Sequence, residues 1–328
     1  MSQSPIRWGI IAPGRIAHKF ADGLSQLPDA ILQAVASSNA DRAQAFADQF
    51  GFAKTYTSYE DLLQDPEIDI VYIASPHPFH HQQALLCLDH GKHVLCEKPM
   101  AINYAQSAEV IEKAREKGLF FMEALWTRFL PIMQEVKKWV FEERIGEIQW
   151  LRADFGFRAT FDAQNRKYNP ELAGGTLLDI GIYPLNMAYL FFQEDPQETQ
   201  STASLGSTGV DEQSAITLKY SSGAIAELGA SFRVESPKEL HIMGSKGQIR
   251  VPLFWRSSEA SLEIYGDKTE TLYRPYASFG LQCQATYVME SLRQGRTEEP
   301  LMPWSESLRI MKKMDELRMN WGVRYPGE

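Results

Sequence analysis

A lysine, an aspartate and a tyrosine stand in settings that suit proton transfer. Lys98 lies in Glu97-Lys98-Pro99, directly after His93 to Cys96, which reads as a buried strand. A lysine at the carboxyl edge of a sheet can donate to a substrate oxygen and favour its alkoxide form. Asp179 and Tyr183 lie four apart in the run from Gly174 to Pro184, so in a helix they share one face. Their neighbours Leu177, Leu178, Ile180 and Ile182 are apolar, which sets Asp179 apart from a solvated charge. An ordinary tyrosine titrates near about 10, and a nearby ammonium lowers that value. Taken singly, these residues could be a surface lysine, a helix cap and a core tyrosine. As a set they form a proton-handling group.

An anion-binding turn precedes them in the chain. Ile6 to Ile11 is a buried strand, and Ala12-Pro13-Gly14-Arg15-Ile16 leads from it into a helical face marked by Ile16, Phe20, Leu24 and Leu27. Backbone N–H groups and the helix dipole point at a pyrophosphate in such a turn. Gly14 would let phosphate approach closely and Ala17 would let helix and strand pack, while Ala12 occupies the usual place of the first glycine. A plain tight turn has the same outline. The second strand, Ile31 to Ala36, ends in Ser37-Ser38-Asn39-Ala40-Asp41-Arg42 without a carboxylate at its tip. Ser37, Ser38 and Arg42 suit a 2′-phosphate, so NADP is expected over NAD, which Asp41 keeps open. His77-Pro78-Phe79-His80-His81 could suggest zinc, but the run holds prolines and has no acidic or cysteine partner nearby, so no metal is expected. No strained serine elbow suggests a hydrolase.

The elements around these residues alternate strand and helix down to about residue 125. That pattern argues for a doubly wound parallel sheet covered on both faces, and its strands are near-continuous apolar runs. Beyond it come a helix through Ile132, Val136 and Val140, a strand from Ile148 to Phe155, and an apolar helix to Leu190. Short strands with tight turns then run from Ala215 to Tyr265, followed by a last helix through Leu308, Met311, Met314, Leu317 and Trp321. Two domains are expected, a dinucleotide-binding one over 1–125 and an α+β one over 126–328 built on an open, mainly antiparallel sheet for substrate binding and oligomerisation. The length of 328 residues agrees with roughly two domains at about 150 each. The net charge of −9 disfavours nucleic acid as a partner. No apolar run approaches the ~20 residues of a membrane helix. The three cysteines, Cys87, Cys96 and Cys283, show no metal spacing, and with no charged and apolar leader the expected compartment is a reducing cytoplasm. A sheet with too few helices to cover both faces leads us to expect a homodimer or higher homo-oligomer.

The chain resembles the glucose–fructose oxidoreductase/inositol dehydrogenase family, Gfo/Idh/MocA, over nearly its whole length. The resemblance rests on WGIIAPGRIAHKF, SPHPFHHQQALLCLDHGKHVLCEKP, EALWTRFLP, ADFGF and GGTLLDIGIYPLNMA. Within the family, D-I-G-I-Y-P is similar to the dimeric dihydrodiol dehydrogenase group, which includes NADP-dependent D-xylose dehydrogenases. The resemblance implies a Rossmann domain and hydride transfer between NADP(H) and a sugar or diol. It assigns proton transfer to Lys98 and Tyr183, supported by Asp179. It places Ala12, Pro13, Gly14, Arg15, Ile16, Ser37, Ser38, Arg42, Ser75, Pro76, His77, His80, Glu97 and Lys98 beside the cofactor. Trp126 and Arg128 join them, and Trp126, Phe155 and Phe157 line the substrate cleft. Ala12, and Ser38 where an arginine is common, depart from the pattern. A dinucleotide-binding redox or ligand sensor without turnover is the alternative, and a methyl transferase is disfavoured by the EKP edge.

Overall fold

The computed structural model describes residues 4–328, which divide into two compact units. One comprises the chain up to Trp126 together with Tyr276–Leu308, and the other Thr127–Pro275 together with Arg309–Glu328. The return of 276–308 to the first unit is not anticipated by a single boundary near residue 125.

The first unit alternates β1 (Ile6–Ile11), α1 (Arg15–Leu24), β2 (Ala30–Ala36), α2 (Ala40–Phe50), β3 (Lys54–Tyr56), α3 (Tyr59–Gln64), β4 (Ile70–Ile73), α4 (His80–Asp89), β5 (His93–Glu97), α5 (Tyr104–Lys117) and β6 (Phe121–Ala124). Its strands form one parallel sheet in the order β3-β2-β1-β4-β5-β6. The order reverses at β1, which places the chain's first βα turn beside the β4 loop at the switch point where such sheets bind ligands. Helix starts are fixed by side-chain caps. The Asn39, Ser58 and Asn103 side chains accept from the N–H of Arg42, Asp61 and Gln106. The central strands are buried on both faces, as parallel sheets demand.

The second unit opens with α6 (Pro131–Phe141), β7 (Ile148–Gly156) and α7 (Ile182–Phe192). There follow β8 (Glu198–Leu205), β9 (Asp211–Lys219), β10 (Ile225–Ser231), β11 (Leu240–Gly244), β12 (Gly247–Val251), β13 (Glu259–Ile264) and β14 (Glu270–Tyr273). The sheet runs β14-β13-β12-β11-β7-β10-β9-β8, antiparallel throughout except that β7 and β10 are parallel. One face is buried under α7, whose residues are apolar nearly all round. Two further helices complete the chain, α8 (Leu281–Arg293) against α1, and α9 (Trp304–Trp321). Trp304 belongs with the first unit, where its indole donates to the Phe121 carbonyl at 2.9 Å. Among the described residues no helix is long and apolar enough to cross a membrane.

Candidate functional site

In the first unit the site is built at the carboxyl ends of the strands. Ala12 adopts φ 63°, the left-handed conformation that glycine normally supplies at the head of this turn. Its N–H donates to the Ala36 carbonyl (3.1 Å), and Gly14 N–H donates to the Ala12 carbonyl (2.7 Å). Gly14 itself has φ −94° and ψ −168°, which any residue can adopt. A Cβ built there meets only the Ala12 carbonyl oxygen, at 3.8 Å. Neither backbone conformation nor packing therefore requires a glycine at 14. The bare backbone leaves room above the first turn of α1, whose N–H groups at Arg15 and Ile16 have no partner in the helix ladder. That arrangement fits a dinucleotide's pyrophosphate.

At the tip of β2, Ser37 is buried and its hydroxyl accepts the Asn39 N–H at 3.2 Å, so it serves the turn. Ser38, Arg15 and Arg42 are exposed. No carboxylate among the described residues pairs with either guanidinium, leaving both able to meet an anion.

Lys98 is buried, and the bond to Pro99 is cis. The residues flanking it are tied down. Glu97 accepts from the Tyr72 hydroxyl, the Pro99 carbonyl lies 2.7 Å from His80 Nδ1, and Met100 N–H donates to Glu123 at 3.0 Å. The other nitrogen of His80 lies 2.7 Å from the Ser75 carbonyl, and Ser75 itself donates to Gln83 at 2.6 Å. Burial pushes the His80 imidazole below its ordinary range, with the charge of Lys98 acting in the same direction. His80 thus couples the loop after β4 to the loop carrying Lys98. His77 is buried beside it, rings 5.9 Å apart, in the single turn that begins after Pro76. Among the described residues no group of three or more His, Cys, Asp or Glu could hold a metal ion. Trp126 is buried against Phe279 (5.4 Å), a ring that the sequence reading passed over and that also carries the Lys19 ammonium on its face at 3.6 Å.

In the second unit, Asp179 lies within a π-turn, Leu177–Gly181, that runs straight into α7 with Tyr183 in its first turn. Such turns recur at functional sites. Arg166 Nη1 donates to Asp179 Oδ1 at 3.0 Å, a half-exposed guanidinium against a mostly buried carboxylate. The Tyr183 ring lies 5.5 Å from Phe155, which stacks on Trp255 at 5.2 Å and 25°. Phe157 packs on Phe232 at 5.4 Å and lies 6.4 Å from Phe155. The structure so brings together Tyr183, Phe155 and Phe157, adds Trp255 to them, and pairs Asp179, one turn before Tyr183, with Arg166. Arg128 is buried and donates from Nε to Asn186 at 2.6 Å, fastening the turn after Trp126 to α7. Arg166 and Trp255 carry no local sequence signal. Only the fold brings the loop before Gly174 and the turn after β12 to this place.

The chain matches the family profile described as "Oxidoreductase family, NAD-binding Rossmann fold" over residues 6–125, and the GFO/IDH/MocA C-terminal domain over residues 133–250. It is 36% identical over 331 residues to trans-1,2-dihydrobenzene-1,2-diol dehydrogenase of Mus musculus, covering 98% of both chains. The Xenopus laevis enzyme of the same name is 37% identical over 332 residues, with 98% and 99% covered. Among solved structures it is similar to a 3-ketoreductase from Actinomadura kijaniata in complex with NADP and TDP-benzene. That match has a TM-score of 0.86 at 27% identity and covers 96% of this chain and 98% of the other.

Proposed function

Because the chain belongs to the GFO/IDH/MocA oxidoreductase family, we propose that this NAD(P)-dependent enzyme interconverts a secondary alcohol of a cyclic diol or sugar with its carbonyl, using NADP(H). The observation that carries the reading is the junction of the π-turn and α7, which sets Tyr183 against the Phe155–Trp255 pair one turn after Asp179. Stacked aromatic walls suit a substrate with a flat apolar ring face, and hydroxyl-bearing rings of that kind are what the curated relatives' name specifies. NADP is favoured by the unpaired Arg15 and Arg42, the exposed Ser38, and the lack of a carboxylate at the tip of β2.

When bound, the nicotinamide supplies the hydride acceptor or donor. The chain's part is to handle the proton on the reacting oxygen. In this reading Lys98 donates a hydrogen bond to that oxygen. Tyr183 takes the proton in oxidation and returns it in reduction. Asp179, paired with Arg166, supports them. The test is the change in NADPH absorbance when purified protein meets trans-1,2-dihydrobenzene-1,2-diol, D-xylose and dicarbonyl compounds. Turnover with none of them while NADPH still binds would favour a sensor.

The second unit also suits self-association. The uncovered face of its sheet carries Trp150 and Ile225 among Arg152, Glu227 and Thr217. A homodimer that pairs these faces would shelter the apolar side chains. A monomer in sedimentation at micromolar concentration would exclude it. The three cysteines are free, which suits a reducing cytoplasm.

A further inference from the structure

The turn that launches the Asp179–Tyr183 segment is held by a carboxylate that the proposed chemistry does not use. Asp211, the first residue of β9, is fully buried. Its Oδ2 accepts the Thr176 hydroxyl at 2.6 Å and the Leu177 N–H at 2.7 Å. Its Oδ1 has no hydrogen-bond partner. Leu177 is the first residue of the π-turn, so Asp211 grips the segment at its origin. The adjoining Gly175 has φ +118°, and a Cβ there would lie 2.2 Å from Asp211 Oδ1. The close approach of this one carboxylate therefore requires a glycine in the turn. From the other side, the Tyr325 hydroxyl donates to the Gly174 carbonyl at 2.6 Å, and Gly175 N–H donates to the Lys167 carbonyl at 2.8 Å, next to Arg166.

A π-turn holds one residue more than an α-turn, through i→i+5 bonds, and is less stable than the helix around it. Relaxation to an α-turn would shift the register by one residue, about 100° of rotation at 3.6 residues per turn. Asp179 lies inside the turn and Tyr183 just beyond it, so that relaxation would separate their faces. Burying a carboxylate is costly, and an apolar residue would fill the same space without that cost.

We propose that Asp211 is a positioning residue for Asp179 and Tyr183: its grip on Thr176 and Leu177 sets the register at which the π-turn enters α7. The proposal rests on the reading of Tyr183 as the proton carrier, and its test separates the two.

The full chain is assayed with NADP and trans-1,2-dihydrobenzene-1,2-diol, alongside amide deuterium exchange of the free protein. Asp211→Asn keeps an acceptor oxygen of the same shape, whereas Asp211→Ala removes it. Asp211→Ala should lower kcat per folded molecule by about 10- to 100-fold with KM for NADP within about twofold, as misplacement of a reacting group does. Asp211→Asn should restore kcat to within about threefold, since it can still accept both bonds. Amides of 177–183 should exchange at least about tenfold faster in Asp211→Ala and at the wild-type rate in Asp211→Asn, with β1 to β6 unchanged. Should Asp211→Ala fail to fold, Thr176→Val removes one of the two donors, and a loss of kcat with faster exchange of 177–183 is expected. Wild-type kcat per folded molecule in Asp211→Ala, or in Thr176→Val where that variant stands in, overturns the proposal. So does unchanged exchange of 177–183. Near-wild-type activity in Tyr183→Phe would instead overturn the proton-carrier reading, and the exchange data would still decide whether Asp211 sets the turn.

Discussion

Gly14→Ala should leave the cofactor-free protein as stable as before and cripple its binding of NADP(H). The backbone at Gly14, φ −94° and ψ −168°, accepts a side chain, and the new Cβ would meet nothing nearer than an oxygen at 3.8 Å. Loss of glycine's freedom in the unfolded chain favours the variant by about 0.4–1 kcal/mol. Alanine is a poorer residue than glycine at a helix N-cap, by an amount of similar size. The two nearly offset, so the stability change should stay within about 1 kcal/mol, or about 2–4 °C in Tm for a domain of this size. Binding is another matter. The methyl group would stand over the first turn of α1 and hold the pyrophosphate away from the N–H groups of Arg15 and Ile16. Each such bond to a charged acceptor is worth about 1.5–3 kcal/mol, so losing one weakens binding by roughly 10- to 150-fold.

Thermal unfolding without cofactor and fluorescence titration with NADPH measure the two effects separately. Saturating NADPH should raise the Tm of the wild type and leave that of the variant almost unmoved at the same concentration. NADPH affinity within threefold of wild type would show that the pyrophosphate does not lie over Gly14. A stability loss above about 2 kcal/mol would show that the protein's own packing required the glycine, contrary to the geometry. Gly175→Ala is the internal contrast. There the φ of +118° and the 2.2 Å approach to Asp211 Oδ1 coincide, so strain and overpacking together should cost about 3–5 kcal/mol.

Arg42→Ala should weaken NADP(H) binding at least about tenfold, the value of one charge-assisted bond, and leave NAD(H) affinity nearly unchanged; equal losses for both cofactors would remove Arg42 from the 2′-phosphate. Tyr183→Phe and Lys98→Met should each lower kcat by about 10²–10⁴-fold while NADPH still binds, and pre-steady-state absorbance separates chemistry from release. Trp255→Ala removes the ring stacked on Phe155, worth about 0.5–1.5 kcal/mol beyond its area, and should raise KM for trans-1,2-dihydrobenzene-1,2-diol by more than for D-xylose. Burial pushes the Asp211 carboxyl up from 3.8 to about 6 in the folded state, so the native state binds more protons than the unfolded chain between those values. Wild-type stability from this group therefore falls as pH rises from about 4 to about 6, by about 3 kcal/mol. Asp211→Asn cannot titrate, so it should gain that much relative to wild type across the window in urea midpoints, and a pH-independent difference would contradict it.

What the sequence made legible follows from how the information is written. The parallel sheet was readable because IRWGII, DIVYIA and HVLC are uninterrupted apolar runs, and Asn39, Ser58 and Asn103 announce the helices that follow. The edge strands β8 and β14 were not read. ETQSTASL and ETLY lie half in solvent and carry too few apolar residues for a period of two to show. Helix α8 was missed although Leu281, Ala285, Val288, Met289 and Leu292 recur at helical spacing. Missing it hid the return of the chain to the first unit, because that return depends on α8 packing against α1, some 260 residues earlier.

The same distinction divides the site. Gly14, Lys98, Asp179 and Tyr183 are the residues the chain itself nominates, because each sits in a short motif whose local geometry limits what it can do. Arg166, Asp211 and Trp255 act across 13, 34 and 100 positions, on Asp179, Leu177 and Phe155. Nothing beside them in the chain marks that reach. Yet one of them leaves an indirect trace. Gly174-Gly175 reads from the sequence as a Gly-rich loop, and the structure gives the second glycine a stricter reason, since the Asp211 carboxylate occupies the place where its side chain would be. A glycine next to a candidate catalytic helix can therefore mark a hidden partner that approaches the backbone. At 14 the space beside the backbone is open, and at 175 it is already filled by the protein. Only coordinates separate those two uses of one residue type, and the paired alanine substitutions above do so by experiment: the first should change binding without stability, and the second stability first.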